Sequence, residues 1–124
     1  MTTTKTIVRW LDEPEDHNYP AALSYLGLIY EPKVASAIVG RLKRARRAEF
    51  KAKDIFRASQ LSLLGVSNSH VEKDQRKIAA GKRLSPLLLV RDSARGAVII
   101  ADGYHRLCAV YALDENAMIP CRVV

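Results

Sequence analysis

The residues whose types and spacing could do chemistry lie together at Asp102-Gly103-Tyr104-His105-Arg106, directly after the apolar run Ala97–Ala101. A glycine between a strand and a helix lets the backbone turn sharply and approach a ligand closely. A helix starting near Tyr104 offers unpaired amide groups and the positive end of its dipole, which suits an anion. Arg106 adds a planar two-pronged donor in the first turn, and His105 a second polar group beside it. Asp102 has three open roles: capping the helix, holding Arg106 or helping to position a divalent metal. Tyr104 either stacks on a ring of the ligand or shields the turn. Phosphate is the anion that best matches these groups. Gly103, Tyr104, His105 and Arg106 are therefore the candidate ligand-binding residues, with Asp102 and His105 as candidates for any catalytic step. The plainer reading is a capped helix with an exposed His and Arg, since Asp-Gly is common turn chemistry.

Charge supplies a second constellation. The chain has 124 residues and a net charge of +7, and the excess is concentrated. Residues 41–57 hold eight basic groups (Arg41, Lys43, Arg44, Arg46, Arg47, Lys51, Lys53 and Arg57) against Glu49 and Asp54. Such a block suits a polyanion such as nucleic acid, although many such runs are simply a solvated helix face. Phe50 and Phe56 come only near its end, so no stacking platform is interleaved with the charges. No helix-turn-helix, zinc or ribonucleoprotein motif accompanies it. Non-specific contact with DNA or RNA backbone is the form of binding this block would support.

The remaining polar residues carry less. His17, His70 and His105 have no metal-ligand spacing. His70 reads as an exposed first-turn residue, with phosphate contact as its functional alternative. Asp54 and Asp102 are the carboxylates that would meet around a magnesium ion, which needs only one or two when phosphate oxygens complete its shell. The alternative places Asp54 at a strand end or turn. Cys108 and Cys121 form neither a metal motif nor a disulfide framework and read as small buried apolar residues. Trp10, Tyr25 and Tyr30 read as core or partner contacts.

These residues need elements to position them. Thr4–Leu11 is a short strand or an ordered arm. Asn18 is placed to cap a helix beginning at Tyr19-Pro20, with Ala22, Leu23, Leu26, Ile29 and Tyr30 on its apolar side. Glu31-Pro32 breaks it. A second helix spans about Lys33–Ala48 with Val34, Ile38, Leu42 and Ala45 as its stripe. Glu49–Phe56 alternates like a strand. Ser69-His70-Val71-Glu72 reads as a capping box for a helix that buries Val71, Gln75, Ile78 and Ala79 and stops at Gly81. Pro86–Val90 and Ala97–Ala101 are buried strands joined by the turn Asp92–Gly96. A helix from Tyr104 with Leu107, Val110 and Tyr111 on one face ends at Asp114–Asn116, and Met118–Val124 returns as a strand.

In the order and spacing of its motifs, the stretch from about Arg47 to Val124 resembles the module shared by ParB-type partition proteins and sulfiredoxins. Gly81-Lys-Arg-Leu-Ser-Pro-Leu-Leu-Leu-Val-Arg91 resembles the segment where a helix ends and a Pro-led apolar strand follows. Asp102-Gly-Tyr-His-Arg106 resembles the family's phosphate-binding box, and Ile119-Pro-Cys-Arg-Val123 its closing strand. The resemblance implies an α+β fold whose box wraps nucleotide phosphates: CTP in ParB proteins, ATP in sulfiredoxins, ADP in related free-serine kinases. Magnesium with the nucleotide is the cofactor such chemistry would use. Tyr104 stands where sulfiredoxins carry their catalytic cysteine, so that activity does not carry over. Tyr104 and His105 also replace a glutamate and an arginine of ParB proteins, leaving Gly103 and Arg106 as matches. Ile55-Phe-Arg-Ala-Ser59 stands where ParB proteins read Gln-Pro-Arg. The Asp-Gly-aromatic-His-Arg form is closest to the free-serine-kinase box, but no catalytic glutamate can be placed.

The expected architecture is one α+β domain over 1–124, with a ParB/sulfiredoxin-like core at 47–124 and a helical extension at 1–46. That extension either docks on the core or builds a homodimer, because Leu23, Leu26 and Ile29 need covering. The favoured function is binding of a nucleotide or other phosphate-bearing ligand at Gly103–Arg106, with phosphotransfer or nucleotide hydrolysis as the reaction such a site can host. The competing function is a non-enzymatic DNA- or RNA-binding accessory protein working through 41–57. No apolar run is long enough to cross a bilayer, and a cytoplasmic setting is the expectation.

Overall fold

In a computed structural model that describes residues 7–64 and 68–124, the chain runs β1 (Arg9–Trp10), α1 (Asn18–Leu26), α2 (Pro32–Arg44), β2 (Arg47–Lys51), α3 (Ala52–Ser59), α4 (Ser69–Ala79), β3 (Arg83–Leu84), β4 (Leu87–Asp92), β5 (Ala97–Asp102), α5 (Tyr104–Leu113) and β6 (Met118–Val123). The main sheet has the order β2-β6-β4-β5. In it β4 and β6 are parallel, and the other neighbours antiparallel. β1 and β3 form a separate short parallel ribbon. This is an α+β fold with a mixed sheet.

The apolar runs of β4 and β5 are covered on both faces. Leu87, Leu89 and Ile100 enter a core shared with α3, α4 and α5. Leu88, Val90, Ile99 and Ala101 enter a second core with Ala22 and Leu26 of α1 and Ala35, Ile38, Val39 and Leu42 of α2. Side chains alternate across a strand, so helices on both sides leave no face for polar residues. The N-terminal helices thus form one wall of the sheet.

Several local expectations change. Asn18 does not cap α1; it is buried, and its side-chain oxygen accepts from the Glu15 N–H at 3.0 Å and the Ser85 hydroxyl at 2.6 Å. This ties the approach to α1 to the β3–β4 connection. Replacing Ser85 with alanine strips these buried groups of a partner and is expected to cost about 1–3 kcal/mol; a lower urea midpoint measures it. α1 stops at Leu26, leaving Leu23 and Ile29 partly exposed. α2 ends at Arg44, and its buried stripe includes Ala35 and Val39 while Val34 is exposed.

The largest revision concerns 49–56. The strand ends at Lys51, where its partner β6 begins at Met118. The chain then turns into α3, burying Ala52, Ile55 and Ser59 on one helical face. The N–H groups of Ala52 and Lys53 donate to Ala117 and Glu115 in the α5–β6 connection. At α4 the cap is Asn68, whose side-chain oxygen accepts from the N–H groups of His70 and Val71 at 3.0 and 3.2 Å. The Ser69–Glu72 box does not form, and Glu72 instead faces Arg76. Ala79 is exposed. Gly81, at φ +73°, ends the helix in a Schellman arrangement with Gly81 N–H to Ile78 and Lys82 N–H to Lys77.

Candidate functional site

β5 leads into α5 through one residue, Gly103, which has φ +110°. Just before it, the β4–β5 register shifts between Leu88 and Leu89, leaving Ala101 as an extra residue in β5. A bulge there re-aims the strand end. A Cβ on Gly103 would lie 2.7 Å from the buried Leu87 Cγ and 2.9 Å from Arg106 Nη2. Glycine is therefore required both by its backbone angle and by its neighbours. No side chain caps α5, so its first-turn amides have no side-chain acceptor among the described residues.

Among the three roles open to Asp102, the structure selects holding Arg106. Arg106 Nη2 donates to Asp102 Oδ2 at 2.9 Å and to the Pro86 carbonyl at 3.4 Å. The two side chains are only 16% and 17% exposed. Arg106 Nε is buried and has no partner among the described residues. Tyr104 lines the same turn and donates its hydroxyl to the Ser62 carbonyl, so it braces the loop after α3.

The helix start does not stand alone. His70, Lys73, Asp74 and Lys77 of α4 join Asp102–Arg106 around a polar depression of about 160 Å³. The His70 and His105 rings lie 4.8 Å apart. The sequence offers His70 as an exposed first-turn residue with phosphate contact as the alternative, whereas Lys73, Asp74 and Lys77 are not among its candidates. Their positions share one helical face, the signal by which they could have been found.

Burial, then the charges of His70 and Arg106, lower the pKa of His105 below its usual 6.5, while Asp74 pulls the other way. The unfolded chain therefore protonates His105 at a higher pH than the folded one. Stability from this residue is complete above about pH 6.5 and falls as pH drops toward the folded-state value. Replacing His105 with glutamine should flatten the loss of melting temperature between pH 7 and about pH 5.5; an unchanged slope would assign that loss elsewhere.

The two thiols take no part. Both are fully buried and unpaired. Burial raises Cys108, and it pushes Cys121 up to about 12, with Glu49 adding to the rise. Neither thiol lines the depression between α4 and α5.

Other expected groupings separate. Asp54 lines an apolar depression with Phe50, Ile55, Arg91 and Val98. Val98 is four residues from Asp102 along β5, about 13 Å away at strand spacing. Asp54 and Asp102 thus line different depressions, and Asp102 gives one carboxylate oxygen to Arg106. Among the described residues no group of three His, Cys, Asp or Glu side chains could hold a metal.

The basic block is likewise divided. Arg41, Lys43 and Arg44 sit on the last turn of α2, Arg46 in the connection, Arg47 and Lys51 on β2, and Lys53 and Arg57 on α3. Arg47 faces Glu49 at 3.3 Å and Asp12 at 3.9 Å. Lys43 lies 5.5 Å from the centre of the Tyr19 ring. The charges thus cover the end of one helix, a strand and a second helix. None of them lines the α4–α5 depression.

Among the described residues no helix is long and apolar enough to cross a membrane. Compared with protein-family models, curated proteins and solved structures, the chain matches none.

Proposed function

We propose that the chain binds a nucleotide or another phosphate-bearing ligand in the depression between α4 and α5, as a member of the ParB/sulfiredoxin-like group that its sequence resembles. The observation that carries this reading is the convergence of Lys73, Lys77, His70, His105 and Arg106 on the uncapped start of α5. In this arrangement the amides beyond Gly103 approach the phosphate oxygens, and Lys73 and Lys77 neutralise their charge. Asp102 holds Arg106 in place. The proposal is binding; for any phosphotransfer or hydrolysis the candidate proton acceptors are His105 and the Asp102 oxygen that Arg106 does not hold. No step is assigned to a protein-held metal.

Replacing Lys73 and Lys77 together with alanine removes two exposed or half-exposed cations without disturbing the core. The expected result is at least a tenfold loss of affinity for ATP, ADP, CTP or GTP, whichever binds, corresponding to about 1.4 kcal/mol or more. Isothermal titration measures it, and unchanged affinity would remove α4 from the site.

A second reading rests on a separate observation. Arg41, Lys43, Arg44, Arg46, Lys51 and Lys53 have no ion-pair partner among the described residues. A non-enzymatic contact with DNA or RNA backbone through them would weaken steeply with salt, and removing Arg44 and Arg46 would lower that slope.

A further inference from the structure

β5 is an outer strand of the sheet, and among the described residues no backbone pairs with its outer edge. The two edges of the sheet are built differently. β2 reads Arg-Ala-Glu-Phe-Lys, and its alternating charges discourage pairing with another chain. β5 reads Ala-Val-Ile-Ile-Ala-Asp, with neither lysine nor proline and a charge only at its last residue. An apolar edge of that kind is a template for another strand.

A groove of about 440 Å³ follows this edge, flanked by Tyr25 and Ile29 on one side and Gln60 and Leu61 on the other. Tyr25, Ile29 and Leu61 are 44%, 45% and 43% exposed. Large apolar side chains grouped beside an open strand mark a surface that another polypeptide covers.

We propose that the occupant is a second copy of this chain, with the β5 edges of two copies paired antiparallel about a two-fold axis at Ile99. Opposed residues of an antiparallel pair share a face of the sheet, so a symmetric register centres on one residue. Centring on Ile99 sets Val98 against Ile100 and Ala97 against Ala101. It also sets Arg95 of each copy opposite Gly103 of the other, beside Asp102. Each edge thus has a cation in the turn just before the strand and an anion at the strand's end, and antiparallel pairing brings opposite charges together at both ends. Parallel pairing would set like against like.

The charged groups are available for this. Arg95 holds Asp92 in an exposed pair, which is worth little in water. Asp102 gives Oδ2 to Arg106, and its other oxygen has no partner among the described residues. The dimer stands on the edge and its flanks, independently of phosphate binding. Its consequence is that Arg95 of one copy reaches the wall of the other copy's α4–α5 depression.

Sedimentation equilibrium of the full chain over a concentration series tests this. The expected species has twice the 13.8 kDa chain mass. Ile29→Lys combined with Leu61→Glu should return it to monomer, and Arg95→Glu should weaken dimerisation by at least about tenfold. All three positions are exposed, and circular dichroism verifies that the variants fold. Amides of Val98–Ala101 should gain hydrogen-exchange protection as the dimer forms. A wild-type chain that stays at 13.8 kDa would overturn the proposal. So would a dimer indifferent to both variants, or a monomer whose Val98–Ala101 amides are protected only by an added unrelated peptide.

Discussion

Replacing Arg106 with alanine is expected to abolish the rise in melting temperature that nucleotide bound at the proposed site would give the wild-type chain. Ligand at about 100 times its dissociation constant stabilises a protein by about 2.7 kcal/mol. For a domain of this size that is a shift of roughly 10 °C. Arg106 contributes the guanidinium nearest the helix start, so its loss removes charge where the phosphate would sit. The same change leaves Asp102 mostly buried beside an empty space, since the pair is only 16% and 17% exposed. Removing one partner of such a pair lowers stability by about 2 kcal/mol before any ligand is added. The readout is therefore the ligand-induced shift in each protein, measured by differential scanning fluorimetry. A nucleotide shift of equal size in both proteins would exclude Arg106 from the site.

Replacing Gly103 with alanine should be the most damaging single change at the turn. The residue sits at φ +110°, outside the region that side chains tolerate. The added Cβ would also lie 2.7 Å from Leu87 Cγ, inside a packed core. Strain of about 1–2 kcal/mol and overpacking of about 1–3 kcal/mol act together, so a loss of about 3 kcal/mol is expected. Urea denaturation measures it as a fall in midpoint at constant slope. A loss below about 0.5 kcal/mol, the ordinary range for surface changes, would contradict the tight turn.

Much of the sheet was legible because its signals are local. Leu87–Val90 and Ala97–Ala101 are continuous apolar runs, and the structure covers both on both faces. Gly81 and Gly103 were readable as turns because each adopts a positive φ that few other residues accept. Segment 49–56 was not legible, because its alternation is interrupted by an event elsewhere in the chain. β2 ends where β6 begins, and the freed amides of Ala52 and Lys53 find carbonyls in the α5–β6 connection.

The site divides in the same way. Asp102, Gly103, Tyr104, His105 and Arg106 are contiguous in sequence, so their grouping at one turn was visible. Which role Asp102 takes depended on the Arg106 rotamer and the Pro86 carbonyl, both settled by packing. The meeting of His70, Lys73 and Lys77 with α5 depends on how α4 docks, through Val71 and Ile78, on the core that contains Leu107. No local pattern announces a contact of that kind. Likewise the positive block at 41–57 read as the end of a helix to about Ala48 followed by a strand, but α2 ends at Arg44, β2 starts at Arg47 and α3 takes up the rest.

The most direct measurement is an amide chemical-shift titration of the isotopically labelled chain with ATP, ADP, CTP and GTP in turn. Binding at the α4–α5 depression predicts saturable shifts at Gly103–Arg106 together with His70, Lys73 and Lys77 for at least one nucleotide. Absence of shifts with all four, or shifts confined to residues 41–57, would contradict the account.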